Sequence, residues 1–182
     1  AQMVSNGEAD IAIVTERIDD HPELSKLTCD EWNHAVIVPK EHPLLECMNP
    51  LSIEDLASFP LITYEFAFNQ GSSIARAFNK AHLDNPDVVL SAADTDVLKT
   101  YVRLGLGVGL MAKMAFDPEK DADLELVDAA HLFEPSPIWI AVRSDTYLRG
   151  YTYDFIEMFS PKLTRDVVDR ILYTPVVEDF SI

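Results

Sequence analysis

Asp94-Thr95-Asp96-Val97-Leu98-Lys99-Thr100-Tyr101-Val102-Arg103-Leu104, then Gly105-Leu106-Gly107, then Val108-Gly109-Leu110-Met111-Ala112, reads as helix, break and strand. Apolar Val97, Leu98, Tyr101, Val102 and Leu104 recur at helical spacing. Gly105 and Gly107 stop the helix and open a buried strand. Upstream the same alternation appears. Pro60-Leu61-Ile62-Thr63-Tyr64 is strand-like, Ser72 to His82 carries Ile74, Ala77, Phe78 and Ala81 on one helical face, and Val88-Val89-Leu90 is again a strand. Downstream, Leu124 to Val127 and Ile138 to Val142 are strands, and Tyr147 to Phe159 and Leu163 to Leu172 are helical. Strands alternating with helices of this length predict an α/β fold with a mostly parallel sheet.

On the N-terminal side, Gln2 to Asn6 reads as the last turn of a helix with Gly7 as its cap, followed by a buried strand over Ala9 to Val14. Leu24 to Cys29 and His34 to Pro39 are two more strands. Ser52 with Asp55 three residues on is a capping-box signal for a short helix. The predicted organisation is two Rossmann-like lobes. One is built from residues 1–38 plus 144–182, the other from 39–143, with the cleft between them as the expected ligand site.

The chain has 182 residues, 14 Lys+Arg against 31 Asp+Glu, and a formal charge of −17. Such a polypeptide repels phosphate backbones and anionic membrane surfaces, so direct contact with nucleic acid or membrane is not expected. No apolar run approaches the ~18 residues of a membrane helix, and no signal peptide is visible at the N-terminus. Cys29 and Cys47 form no CxxC; one disulfide is open to them, and the preferred reading is two reduced cytosolic thiols. No cofactor and no metal are expected. Asp19-Asp20-His21 reads as a solvated turn, and the acidic loop Asp117 to Asp123 lacks the ligand pattern of a calcium site.

Three strand ends carry polar residues suited to a small ligand. Phe68-Asn69-Gln70-Gly71-Ser72-Ser73 joins a strand to a helix, where side chains and helix N–H groups can hold an anion or carboxylate. Asp94-Thr95-Asp96 repeats this arrangement, with capping as the competing role. Thr15-Glu16 ends the first strand. The glycines at 105, 107 and 109 are not a dinucleotide fingerprint, because they close a helix and open a strand rather than the reverse. No GxSxG, HExxH or Walker A occurs, and nothing places a base beside a nucleophile. Lys99 and Arg103, four residues apart, read as a solvated helix face.

Taken together, several stretches resemble the effector-binding domain of a LysR-type transcriptional regulator. They are Gly7-Glu8-Ala9-Asp10-Ile11-Ala12-Ile13, His42-Pro43-Leu44, Ser52 to Ala57 with Phe59-Pro60-Leu61-Ile62, and Val102 to Val108. Trp32-Asn33, Thr63-Tyr64, the run Asp94 to Gly109, Tyr151 to Ile156 and Leu163 to Val168 narrow the resemblance to the CysB/Cbl subgroup. The resemblance implies a fold like type II periplasmic binding proteins, with the first lobe incomplete at its N-terminus. It implies DNA binding only through a winged helix-turn-helix absent from this chain, homodimers or homotetramers, a cytoplasmic location and no enzymatic activity. It also implies a sulfur-related effector in the cleft: sulfate, thiosulfate, O-acetylserine, N-acetylserine or adenosine phosphosulfate. The ligand-binding residues expected are Thr15, Asn69, Gln70, Gly71, Ser72 and Thr95, with Asn69 standing where the family has threonine. A transport-type solute-binding protein of the same fold, and a small α/β enzyme, are the alternative readings.

Overall fold

In the computed structural model, residues 1–15, 21–46, 50–69 and 71–173 are described. The elements are α1 (Gln2–Ser5), β1 (Ala12–Val14), β2 (Leu24–Trp32), β3 (His34–Pro39), α2 (Ile53–Ala57), β4 (Leu61–Tyr64), α3 (Ser73–Lys80), β5 (Val88–Ala92), α4 (Thr95–Arg103), β6 (Val108–Ala112), β7 (Leu124–Asp128), β8 (Ser136–Arg143), α5 (Gly150–Phe159) and α6 (Arg165–Tyr173). Short 3-10 turns follow β3 and β6, at Pro43–Glu46 and Lys113–Ala115. Two compact units result, one of residues 1–31 with 137–182 and one of residues 32–136.

The second unit holds a five-stranded sheet in the order β5-β4-β6-β3-β7. β4 is parallel to both β5 and β6, while β3 is antiparallel to both β6 and β7. Four strands therefore share one direction and β3 alone opposes them. The sheet is mixed rather than purely parallel. Both faces are covered, so the central strands β4, β6 and β3 are nearly continuously buried, while the edge strands β5 and β7 alternate. Val36, Val38, Leu61, Val108 and Leu110 face a core shared with Leu56 of α2 and Ile74 and Phe78 of α3. Ile37, Ile62, Tyr64 and Met111 face the opposite way, against Leu98 and Val102 of α4.

The turn from α4 into β6 is built by its glycines. Gly105 has φ +73°, and the N–H groups of Gly105 and Leu106 close onto the carbonyls of Val102 and Tyr101 at 2.9 and 3.2 Å. That is a Schellman cap, and a left-handed residue there favours glycine. A Cβ on Gly107 would lie 2.5 Å from the Pro60 carbonyl oxygen, and one on Gly109 would lie 2.6 Å from Ile37. These glycines let the chain and α4 lie close on the sheet, as the sequence predicts for a tight turn. The capping signals also hold. Ser52 and Asp55 form a reciprocal capping box on α2, and Gly7 closes α1 with φ +76°.

The first unit holds a three-stranded sheet in the order β1-β8-β2. β1 runs antiparallel to β8, with Ile13 opposite Ile140. It is a sheet edge, and Ile13 is exposed rather than buried as its apolar neighbours suggest. Cys29 is buried in β2 without a disulfide, its thiol donating to the Ile138 carbonyl at 3.1 Å. Burial raises that thiol's pKa, which keeps it protonated and unreactive. Cys47, Asp19 and Asp20 lie outside the described residues.

Strand pairing also assigns two segments differently from the sequence reading. His34–Pro39 belongs to the five-stranded sheet, and Pro137 to Arg143 belongs with β1 and β2. Each is an apolar run that would suit either sheet, and only cross-strand partners distinguish them.

Candidate ligand-binding site

In the second unit, β4 and β5 lie side by side and parallel, with Tyr64 opposite Ala92. Their C-terminal ends therefore open at one edge of the sheet, the usual place for a ligand in an open α/β sheet. The chain leaves β4 through a tightly tied loop. Ala67, Asn69 and Ser72 donate their N–H groups to the carbonyls of Tyr64, Phe66 and Asn69, each at 3.0 Å. Gly71 takes φ +86°, and its carbonyl accepts from the Arg76 guanidinium, which also reaches Glu134 at 2.6 Å. Phe68 packs edge-on against Phe78. Asn69 is exposed at the crest.

Ser72 ends this loop and begins α3. Its hydroxyl accepts from Ala75 N–H at 3.0 Å and donates to the Ala67 carbonyl at 2.5 Å. Its hydroxyl proton and its N–H are thus both spent on the loop. Ser72 shapes the site and caps the helix. The first-turn N–H groups of Ser73 and Ile74 have no carbonyl within the helix to accept them. α3 has no acidic residue in its first turn, so its positive end is not neutralised.

The turn after β5 differs. Asp94 caps α4, accepting from Val97 N–H at 2.9 Å, and Asp96 adds a second carboxylate. An anion is disfavoured beside these two charges. Thr95, half-buried in the first turn, instead pairs its hydroxyl with the Tyr64 phenol at 2.9 Å. The Ala112 N–H at the end of β6 points to the same phenol at 3.5 Å. Tyr64 is 8% exposed and stacks on Phe66 with ring centroids 5.2 Å apart. The phenol at the end of β4 thus meets both the start of α4 and the end of β6.

Beside α3, an open hollow of about 540 Å³ is lined by Tyr64, Glu65, Phe68, Arg76, Asn79 and Ser91 among others. Of the expected residues, Asn69, Gly71, Ser72 and Thr95 come to the same sheet edge. Thr15 directly follows β1 in the other unit and is exposed. Gln70 lies outside the described residues. Tyr64 was not among the residues expected from sequence. Its position as the last residue of a strand was legible, but its bond to Thr95 depends on the β4–β5 pairing. Among the described residues, no three His, Cys, Asp or Glu side chains are placed to hold a metal ion.

Lys99 corrects the sequence reading of a solvated face, while Arg103 is exposed as that reading has it. Lys99 is 6% exposed, and its ammonium is bound by Asp121 and by the Ala115 carbonyl. Burial raises the pKa of Asp121, but Lys99, the Asp117 N–H and Arg103 together hold it below the usual carboxylate range. The acidic loop is thus folded around cations of its own chain.

A mixed sheet in this order, with helices on both faces, defines a lobe of the type II periplasmic-binding kind. The chain belongs to the family of LysR substrate-binding domains, whose pattern it matches over residues 1–164. It is 48% identical over 172 residues to the HTH-type transcriptional regulator CysB of Burkholderia cenocepacia, covering 94% of this chain and 54% of that protein. It is 40% identical over 182 residues to the HTH-type transcriptional regulator cbl of Klebsiella aerogenes, covering 99% of this chain and 57% of that protein. The crystal structure of the cofactor-binding domain of the Cbl transcriptional regulator superposes with a TM-score of 0.85 at 36% identity, covering 95% of this chain and 75% of that one. The chain spans about half the length of these curated relatives, which are transcriptional regulators rather than enzymes. Among the described residues, no helix is long and apolar enough to cross a membrane.

Proposed function

We propose that this chain is the effector-sensing part of a cytoplasmic transcriptional regulator of sulfur assimilation and cysteine biosynthesis. Its ligand is a small anion or an acetylserine-type molecule, and DNA is contacted by a winged helix-turn-helix outside this chain. The observation that carries this reading is the edge shared by β4 and β5. There α3, with no acidic residue in its first turn, starts beyond the same strand end that carries the neutral Tyr64 hydroxyl. Neutral donors hold an anion within an acidic body because contact hydrogen bonds to a charge outweigh distant, screened repulsion. The similarity to CysB and cbl regulators supports sulfur control. The family resemblance supports two lobes closing on the effector, Thr15 as a contributor from the first of them, and assembly as dimers or tetramers. Effector binding then shifts the population of lobe arrangements, which the DNA-binding part reads.

Calorimetric titration with sulfate, thiosulfate, O-acetylserine, N-acetylserine and adenosine phosphosulfate tests this. One of the five binds saturably, and Thr15→Ala or Asn69→Ala weakens it about tenfold, the scale of one hydrogen bond to a charged group. Absence of heat with all five overturns the sulfur assignment. Normal binding by Thr15→Ala overturns that residue's role.

A further inference from the structure

The helix face that carries Thr95 continues through Lys99 and Arg103, at i, i+4 and i+8. Lys99 sits in the interior, where lysine is rare unless paired. Its ammonium grips the Asp121 carboxylate and, at 2.6 Å, the Ala115 carbonyl three residues beyond Ala112. Asp121 is 2% exposed. The oxygen that takes Lys99 also accepts from the Asp117 N–H at 2.9 Å, and the other oxygen accepts from Arg103 at 2.8 Å. Arg103 in turn binds Asp123 at 2.8 Å. One carboxylate therefore holds α4 at two successive turns, and one ammonium holds the segment that leaves β6.

Those two elements are the ones that meet the Tyr64 hydroxyl, α4 through Thr95 and β6 through Ala112. Leu98 and Val102 keep α4 on the sheet, but apolar contact is non-directional and resists sliding or rotation poorly. A buried ion pair adds little net stability, because the cost of desolvation offsets the attraction. Its directional bonds do fix geometry.

We propose that Lys99 and Asp121 are positioning residues, whose buried pair sets the rotation of α4 and the height of the β6 end, so that the Tyr64 hydroxyl is presented to ligand in one geometry. The inference rests on Tyr64 belonging to the effector site, with Thr95 as its hydrogen-bond partner.

The test incorporates 3-fluorotyrosine into the chain and follows the Tyr64 fluorine resonance, identified by its loss in Tyr64→Phe. Thr95→Val marks the resonance position when the contact is broken. Lys99→Met and Asp121→Asn move or split the Tyr64 signal toward that position. Lys113→Met, which removes a surface pair with Asp128, leaves it in place. A Tyr64 signal unmoved in a folded Lys99→Met or Asp121→Asn chain overturns the proposal. If Lys99→Met does not fold, the isosteric Asp121→Asn variant decides alone. With whichever of the five probes binds, Lys99→Met weakens affinity about tenfold and adds no further loss in a Tyr64→Phe background, since coupled residues are non-additive. A full additional loss in that background also overturns it. If the unsubstituted chain binds none of the probes, the sulfur reading fails while the fluorine signal still decides the positioning role.

Discussion

His34 lies in β3 with its ring 4.4 Å from that of Trp32 and 5.1 Å from that of Phe133. It is 3% exposed, and its Nδ1 has no hydrogen-bond partner among the described residues. Desolvation drives the imidazole pKa down to about 4. The unfolded chain binds this proton near pH 6.5 and the folded chain does not, so stability rises with pH across that window. Between pH 6.5 and 4 His34 removes about 3 kcal/mol of stability. Urea unfolding at pH 7 and at pH 5 measures this. The loss on acidification is smaller in His34→Leu than in the unsubstituted chain, and an equal loss in both refutes the assignment. Such burial was not legible beforehand, because a strand residue's surroundings depend on what packs across it. The capping roles of Ser52, Ser72 and Asp94 were legible, since a cap bonds to N–H groups two or three residues away.

Among the elements, the α4–β6 turn shows how one short stretch can be read for different strains. Gly107→Ala forces a methyl against the Pro60 carbonyl, a backbone atom that cannot swing aside. Gly109→Ala meets Ile37, Val102 and Leu98 side chains at 2.6, 2.8 and 2.9 Å, which can yield in part. Gly105→Ala meets nothing within 4 Å and suffers only its left-handed φ. The expected costs fall in that order: about 3 kcal/mol or more, about 1–3 kcal/mol, and about 1–2 kcal/mol. Chemical denaturation of the three variants checks the ranking, and a Gly105→Ala variant less stable than Gly107→Ala contradicts it. The β4–α3 loop was legible as a strand-to-helix turn rich in polar residues. That Ser72 spends its hydroxyl within the loop was not, because its partner Ala67 is brought near only by the loop's own turns.

For the whole molecule, the two units differ in how the chain builds them. Residues 32–136 are one continuous segment with helices on both faces of a closed-packed sheet. The other unit is assembled from the two ends of the chain. A polypeptide of residues 32–136 alone is therefore expected to fold cooperatively, since its core needs no residue from elsewhere. Circular dichroism with thermal melting tests this, and a featureless, non-cooperative trace rejects it. The sequence by itself determined what depends on near neighbours: helix spans, caps, the glycine turn, the net charge of −17, and the motifs that mark its family. Only the tertiary structure decided which sheet takes β3 and β8, that Tyr64 meets Thr95, and that Lys99 is interior. Those facts rest on strand pairing and burial between residues far apart in sequence, where a favourable partner cannot be read from composition or period.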